Sequence, residues 1–190
     1  MSVPSIKGSV FEGLMADLRA AAAAGRADLD ELRDLLDDKD RDLLDGEVAT
    51  IQWVPIRAYT AILDYLARVE GAADPVAYLH RRGEVACDRL IGGIYKAFKV
   101  EAGQWAPRTG EIMMGMGKLL YNFTRWSFSD LGAGVYQITC EEAADFPDCA
   151  VETAHGFIER YASRASGRAV KVESTRPTRA KVLYRVSLRD

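Results

Sequence analysis

Val135-Tyr136-Gln137-Ile138-Thr139-Cys140 alternates side chains so that Tyr136, Ile138 and Cys140 share one face of a β-strand. Two runs further on do the same. Val170 and Val172 alternate with Lys171 and Glu173, and Val182, Tyr184, Val186 and Leu188 alternate with Lys181, Arg185 and Arg189. Arg176-Pro177-Thr178 turns the chain between these runs, which predicts a half-buried antiparallel hairpin. Ahead of the hairpin, Asp145-Phe146-Pro147-Asp148 opens a helix, because proline suits a first helical position and Asp148 and Glu152 complement the positive helix end. Val151, His155, Ile158 and Ala162 line one face of that helix, and Gly167 stops it. Residues 131–190 therefore read as strand, helix, strand, strand, with the helix covering the sheet.

Upstream, the apolar period changes from two to 3.6. Phe11, Leu14, Met15 and Leu18 predict a helix over about residues 10–24, ended by Gly25. Leu29, Leu32, Leu35, Leu36, Leu43 and Leu44 sit among many acids between residues 28 and 45, which predicts one or two short helices with an acidic outer face closed by Gly46. Pro55 is placed to open a helix carrying Ile56, Tyr59, Ile62, Leu63 and Leu66 to about residue 69, with Trp53 just ahead of it. Pro75 opens the longest pattern, through Leu79, Ala86, Leu90, Ile91, Ile94 and Phe98 to about residue 102, interrupted at Gly92-Gly93. Ile112, Met116, Leu119, Leu120 and Phe123 predict a last apolar helix over about residues 109–126, and Gly132 and Gly134 break the chain before the sheet. The expected fold class is α+β: a helical region, 1–130, packed on a small antiparallel sheet with the strand-helix-strand-strand unit, 131–190, in a single domain spanning 1–190.

A chain of 190 residues, 48% hydrophobic, is long enough for one such core. It has no run of eighteen apolar residues and its start lacks the order of a secretory signal, so a cytoplasmic protein without a transmembrane segment is expected. Cys87, Cys140 and Cys149 are odd in number and lack CxxC spacing, which argues for buried, reduced thiols. The net charge of −3 is polarised: residues 151–190 hold nine Lys/Arg against four Asp/Glu, leaving −8 on residues 1–150. Such a chain could dock an acidic protein partner; nucleic acid is not expected, because aromatics do not interleave the basic residues. Arg160, Arg164 and Arg168 recur every four residues and form the candidate partner-binding strip.

Catalytic and metal signatures fail on position. The acidic run from Asp38 has Leu43 where a calcium loop needs glycine and Ala49 where it needs glutamate. Gly110 and Gly115 have the spacing of a phosphate loop, but Met116 stands in the lysine position and the pattern is helical. The chain has only two histidines and no strained serine elbow. Cys149 near a helix start is the one thiol that a helix dipole could activate. His80 is expected to be exposed, and His155 to be a lone packed histidine without a second ligand nearby, so no metal site is expected.

The positions Tyr136, Pro147, Gly156-Phe157, 170–173 and 182–188 resemble the superfamily that contains heme nitric-oxide-binding domains, 4-vinyl reductase-like ligand-binding domains and the Bet-type subunits of the transport-particle tethering complex. The length and the opening Lys7-Gly8-Ser9-Val10-Phe11 resemble a paralogous myxobacterial family of unknown function. Heme-binding members of the superfamily use a Tyr-x-Ser-x-Arg motif for the propionates and an axial histidine roughly thirty residues earlier. Here those positions read Tyr136, Ile138, Cys140 and, near the axial site, Trp105, so heme is not the expected cofactor. The resemblance then implies a non-catalytic sensory or ligand-binding module, a homodimer as relatives often are, holding a small apolar molecule between helices and sheet. Trp105, Tyr121, Trp126, Tyr136 and Cys140 are the candidate pocket residues, and Trp126→Ala is expected to weaken ligand binding without unfolding the protein. The alternative is an interaction adaptor like the tethering-complex subunits, with a packed interior and function on the Arg160, Arg164, Arg168 surface.

Overall fold

A computed structural model of the chain describes residues 2–103 and 107–188. The helical part comprises α1 (Gly8–Ala23), α2 (Leu29–Leu35), α3 (Asp42–Asp45), α4 (Ile56–Glu70), α5 (Pro75–Gly92) and α6 (Pro107–Leu120). Two short strands, β1 (Ser5–Lys7) and β2 (Trp53–Pro55), pair antiparallel and tie the chain start to the entry of α4. The C-terminal part contains β3 (Arg125–Gly132), β4 (Val135–Glu141), α7 (Asp148–Ser166), β5 (Val170–Thr178) and β6 (Lys181–Leu188). Its sheet is antiparallel throughout, in the order β3-β4-β6-β5. The α+β expectation holds, with a small sheet below the helices.

Local signals read from sequence set most boundaries. The Asp74 carboxylate accepts from the Ala77 N–H at 2.9 Å and Pro75 begins α5, while Gly167 ends α7 in the left-handed region at φ +68°. Three readings need correction. The helix predicted over 109–126 stops at Leu120, and Trp126 lies in β3, a strand the sequence pattern hides because only Trp126 and Phe128 of its inward positions are apolar. The unit is thus strand-strand-helix-strand-strand, and sheet begins before residue 131. The helix predicted to run to about residue 102 ends at Gly92, where paired glycines let the backbone leave, and a single 3₁₀ turn follows at Lys96–Phe98. Pro55 closes β2 one residue ahead of α4 instead of opening the helix.

The two longest helices, α5 and α7, lie backbone to backbone. A side-chain carbon added at Gly83 would overlap the carbonyl of Thr153, and one at Gly156 would overlap the carbonyl of His80. Each glycine therefore removes the atom that would hold the helices apart. The same device seats α6 on the sheet, since Gly110 lies on the Phe128 ring and Gly117 on the Trp126 ring. This packing accounts for Gly110, one of the two glycines that mimic a phosphate loop in sequence. Arg82 on α5 and Arg89 at its end both pair with Asp17 of α1, which locks the N-terminal helix against the α5–α7 pair.

Candidate functional site

Where α6 meets α7 and the sheet, the core leaves a pocket of about 60 Å³. By volume this has room for roughly four waters. Its walls come from several elements: Tyr59 from α4, Met113 and Met116 from α6, Tyr121 just beyond α6, Trp126 from β3 and Phe157 from α7. Trp126 anchors one side. Its ring stacks on Tyr184 at 6.1 Å, meets Phe146 edge-on at 5.8 Å and lies 6.1 Å from Tyr121, while its Nε1–H donates to Thr124 Oγ1 at 2.9 Å. Burial pushes the Tyr59 and Tyr121 phenols well up, so both are neutral across the physiological range. The pocket therefore offers aromatic faces, thioethers and neutral hydroxyls, which suit a small apolar guest with at most a weak polar group.

The five candidate pocket residues are distributed unevenly around this space. Tyr121 and Trp126 line it. Cys140 is fully buried directly across the β3–β4 ladder from Trp126, behind the lining. Tyr136 sits further along β4, stacked on Phe128 at 5.5 Å. Trp105 lies outside the described residues. The reading from sequence missed Tyr59 and the α6 methionines, whose apolar helical spacing marks only a core face.

All three thiols are buried. Burial pushes Cys87 and Cys140 up to about 12 and raises Cys149 as well, so burial outweighs the helix start at Cys149. In the native protein at about pH 8, no thiol should react quickly with a disulfide reagent, and all three should react after denaturation. The sign of the pH effect follows. An acid whose folded value exceeds its ordinary 9.0 contributes stability that is full below pH 9 and is lost as pH rises toward about 12. Urea midpoints measured at increasing alkalinity should fall across that window.

The candidate basic strip is broken up by the fold. Arg160 holds Asp88 of α5 in a two-pronged pair at 3.0 Å, and Arg164 reaches the same carboxylate at 3.1 Å. Arg168 lies beyond Gly167, past the end of α7, so the three guanidinium groups do not share one helix face. Two of them join α7 to α5 through Asp88.

The two histidines, by contrast, come together. The Gly83 and Gly156 contacts bring α5 and α7 so close that the His80 and His155 rings meet edge-on at 4.9 Å. His80 Nε2 lies 3.1 Å from Glu159 Oε2, and His155 Nδ1 lies 3.5 Å from Glu152 Oε1. This corrects two expectations: His80 is only 24% exposed, and His155 is not alone. A sequence signal existed in Glu152-Thr153-Ala154-His155, a Glu-x-x-His spacing on one helix face, but its partner lies on another helix.

No protein-family profile matches the chain, and no curated protein matches it in sequence. Solved structures do match in fold. The Fe(II) unliganded H-NOX protein from K. algicida superposes with a TM-score of 0.68 at 9% identity, covering 97% of both chains. A mutant of T. Tengcongensis H-NOX gives 0.62 at 10% identity, covering 97% of this chain and 98% of that one. A Cs H-NOX mutant gives 0.67 at 10%, covering 97% of both chains. Another structure of the same fold, with a TM-score of 0.63 at 10% identity, concerns heme distortion in the H-NOX family. The pocket here does not fit that group. Among the described residues its lining has no imidazole for iron and no guanidinium for the propionates, and its volume is well below the several hundred Å³ of an ordinary cofactor site. At this level of identity the likeness establishes the architecture alone: the chain has the fold of H-NOX domains, the heme nitric-oxide-binding fold.

Proposed function

We propose that this protein is a non-catalytic sensory module that holds a small apolar molecule, and not heme, in the pocket between α6, α7 and β3. The observation that supports this most directly is the composition of the pocket wall, which among the described residues is aromatic, aliphatic and thioether with no charged side chain. A guest there would touch helices α4, α5, α6 and α7 and the sheet at once, so its occupancy would be felt by all of them. The methionines make the site adaptable, because an unbranched thioether can swing aside for a larger guest at little cost.

Xenon is a suitable first probe. Under increasing xenon pressure the methyl resonances of Met113, Met114 and Met116 should shift saturably, whereas Met15, which packs in the core outside the pocket, should not move. Mass spectra of freshly purified protein, native against denaturing, should reveal any retained molecule as a mass lost on unfolding. Added hemin should produce no stoichiometric, saturable Soret band. Silent methionines and a saturating hemin spectrum would each overturn this reading, the first in favour of an adaptor with a packed interior.

A further inference from the structure

We propose that His80, Glu152 and His155 form a binding site for a divalent transition-metal ion, with Zn²⁺ the natural probe, on the α5–α7 seam. The site is separate from the apolar pocket and does not depend on it. One donor atom from each of the three residues lies within 4.8 Å of both others. A tetrahedral zinc with donors about 2.1 Å away places them about 3.4 Å apart, so modest side-chain rotation closes the site. Two imidazoles and a carboxylate are the donor set of open zinc sites, which leave a fourth position for water or a further ligand.

Hydrogen bonding orients the key imidazole. His155 Nε2 lies 3.1 Å from the Val172 carbonyl, which can only accept, so Nε2 carries the proton. The lone pair is then on Nδ1, which faces Glu152 at 3.5 Å and lies 3.4 Å from Ser174 Oγ, a hydroxyl that can turn away when a metal takes the lone pair. A backbone carbonyl holding the far nitrogen of a metal-binding histidine is the usual outer-shell arrangement. Glu159 adds a second carboxylate as an outer partner, 3.1 Å from His80 Nε2. The ion pairs seen for Glu152 and Glu159 among the described residues are with these imidazoles, so no lysine or arginine there competes with a metal ion for the two carboxylates. Side-chain exposures of 16–32% leave the cluster partly desolvated yet reachable by an ion. The scaffold is stiff, because Gly83 and Gly156 hold the two helix backbones in contact immediately beside the ligands.

Calorimetry of the full chain with Zn²⁺ should show one site with a Kd of about 1 μM or tighter. His80→Ala, His155→Ala and Glu152→Gln should each weaken it at least tenfold, by analogy with the losses seen when even outer partners are removed. Should an alanine variant fail to fold, His80→Asn and His155→Gln keep a similar shape and make the same comparison. Co²⁺ substitution should give visible bands of a nitrogen and oxygen site. Absence of stoichiometric binding to the wild-type chain, unchanged affinity in folded variants, or a near-ultraviolet thiolate band with Co²⁺ would overturn the proposal.

Discussion

Gly156→Ala should destabilise the protein by about 3 kcal/mol, the upper end of the usual cost of overpacking, because the new methyl group meets backbone and not a movable side chain. Its Cβ would overlap the His80 carbonyl, which belongs to an α5 turn and cannot rotate away without breaking helical hydrogen bonds. The helices must therefore separate along a seam that also carries the Arg160–Asp88 pair and the His80–Glu159 contact. Urea unfolding measures the loss, and Gly92→Ala provides the control. Gly92 is exposed at the end of α5, an added carbon there meets nothing within 4 Å, and the change should be neutral or stabilising by a few tenths of a kcal/mol. If Gly156→Ala costs no more than Gly92→Ala, the backbone-to-backbone packing of α5 on α7 is wrong. The same substitution should reduce Zn²⁺ affinity, since it moves His80 away from His155.

Trp126→Ala should cost about 3–5 kcal/mol, the range for removing a buried large aromatic. This revises the expectation from sequence that the substitution would spare the fold. That expectation placed Trp126 at a helix end, whereas the residue is 7% exposed in β3, with its ring against Tyr121, Phe146 and Tyr184 and the Gly117 backbone over one face. Thermal unfolding checks the loss. The vacated space adjoins the existing pocket of about 60 Å³, so the folded fraction of Trp126→Ala should bind benzene saturably and more tightly than wild type. Trp126→Phe, which keeps an aromatic ring on the same strand, should retain most of the stability and is the better variant for testing guest binding. A Trp126→Ala protein as stable as wild type would show that the aromatic cluster contributes little.

Much of the architecture was legible because local periodicity and capping act over a few residues. The period of two in residues 182–188 and the 3.6 period in α1, α4 and α7 report which faces are buried, whatever they are buried against. The start signal at Pro75 and the stop signal at Gly167 depend only on neighbouring backbone groups. Where the local signal was thin, the reading failed. β3 carries only Trp126 and Phe128 on its inward face and follows a helix whose pattern runs smoothly into it, so strand pairing with β4 decides its conformation. The α5 pattern continued past Gly92 because apolar residues kept their spacing after the backbone had turned.

The candidate site was less legible than the fold. Tyr121 and Trp126 could be picked as aromatics near the helix–sheet junction, but Tyr59 and the methionines look like any core positions until α4, α6 and α7 are set around one space. The basic strip looked free on a helical wheel, and only the position of Asp88 on α5 shows that Arg160 and Arg164 are already engaged.

What the sequence by itself determined is most of the helices, the strands β4, β5 and β6 and their buried faces, since those follow from side-chain period, proline and glycine along a few residues of chain. What only the tertiary structure decided is which faces meet. His80 and Glu159 are 79 residues apart, and they touch because two glycines on different helices allow a backbone approach that no local pattern encodes.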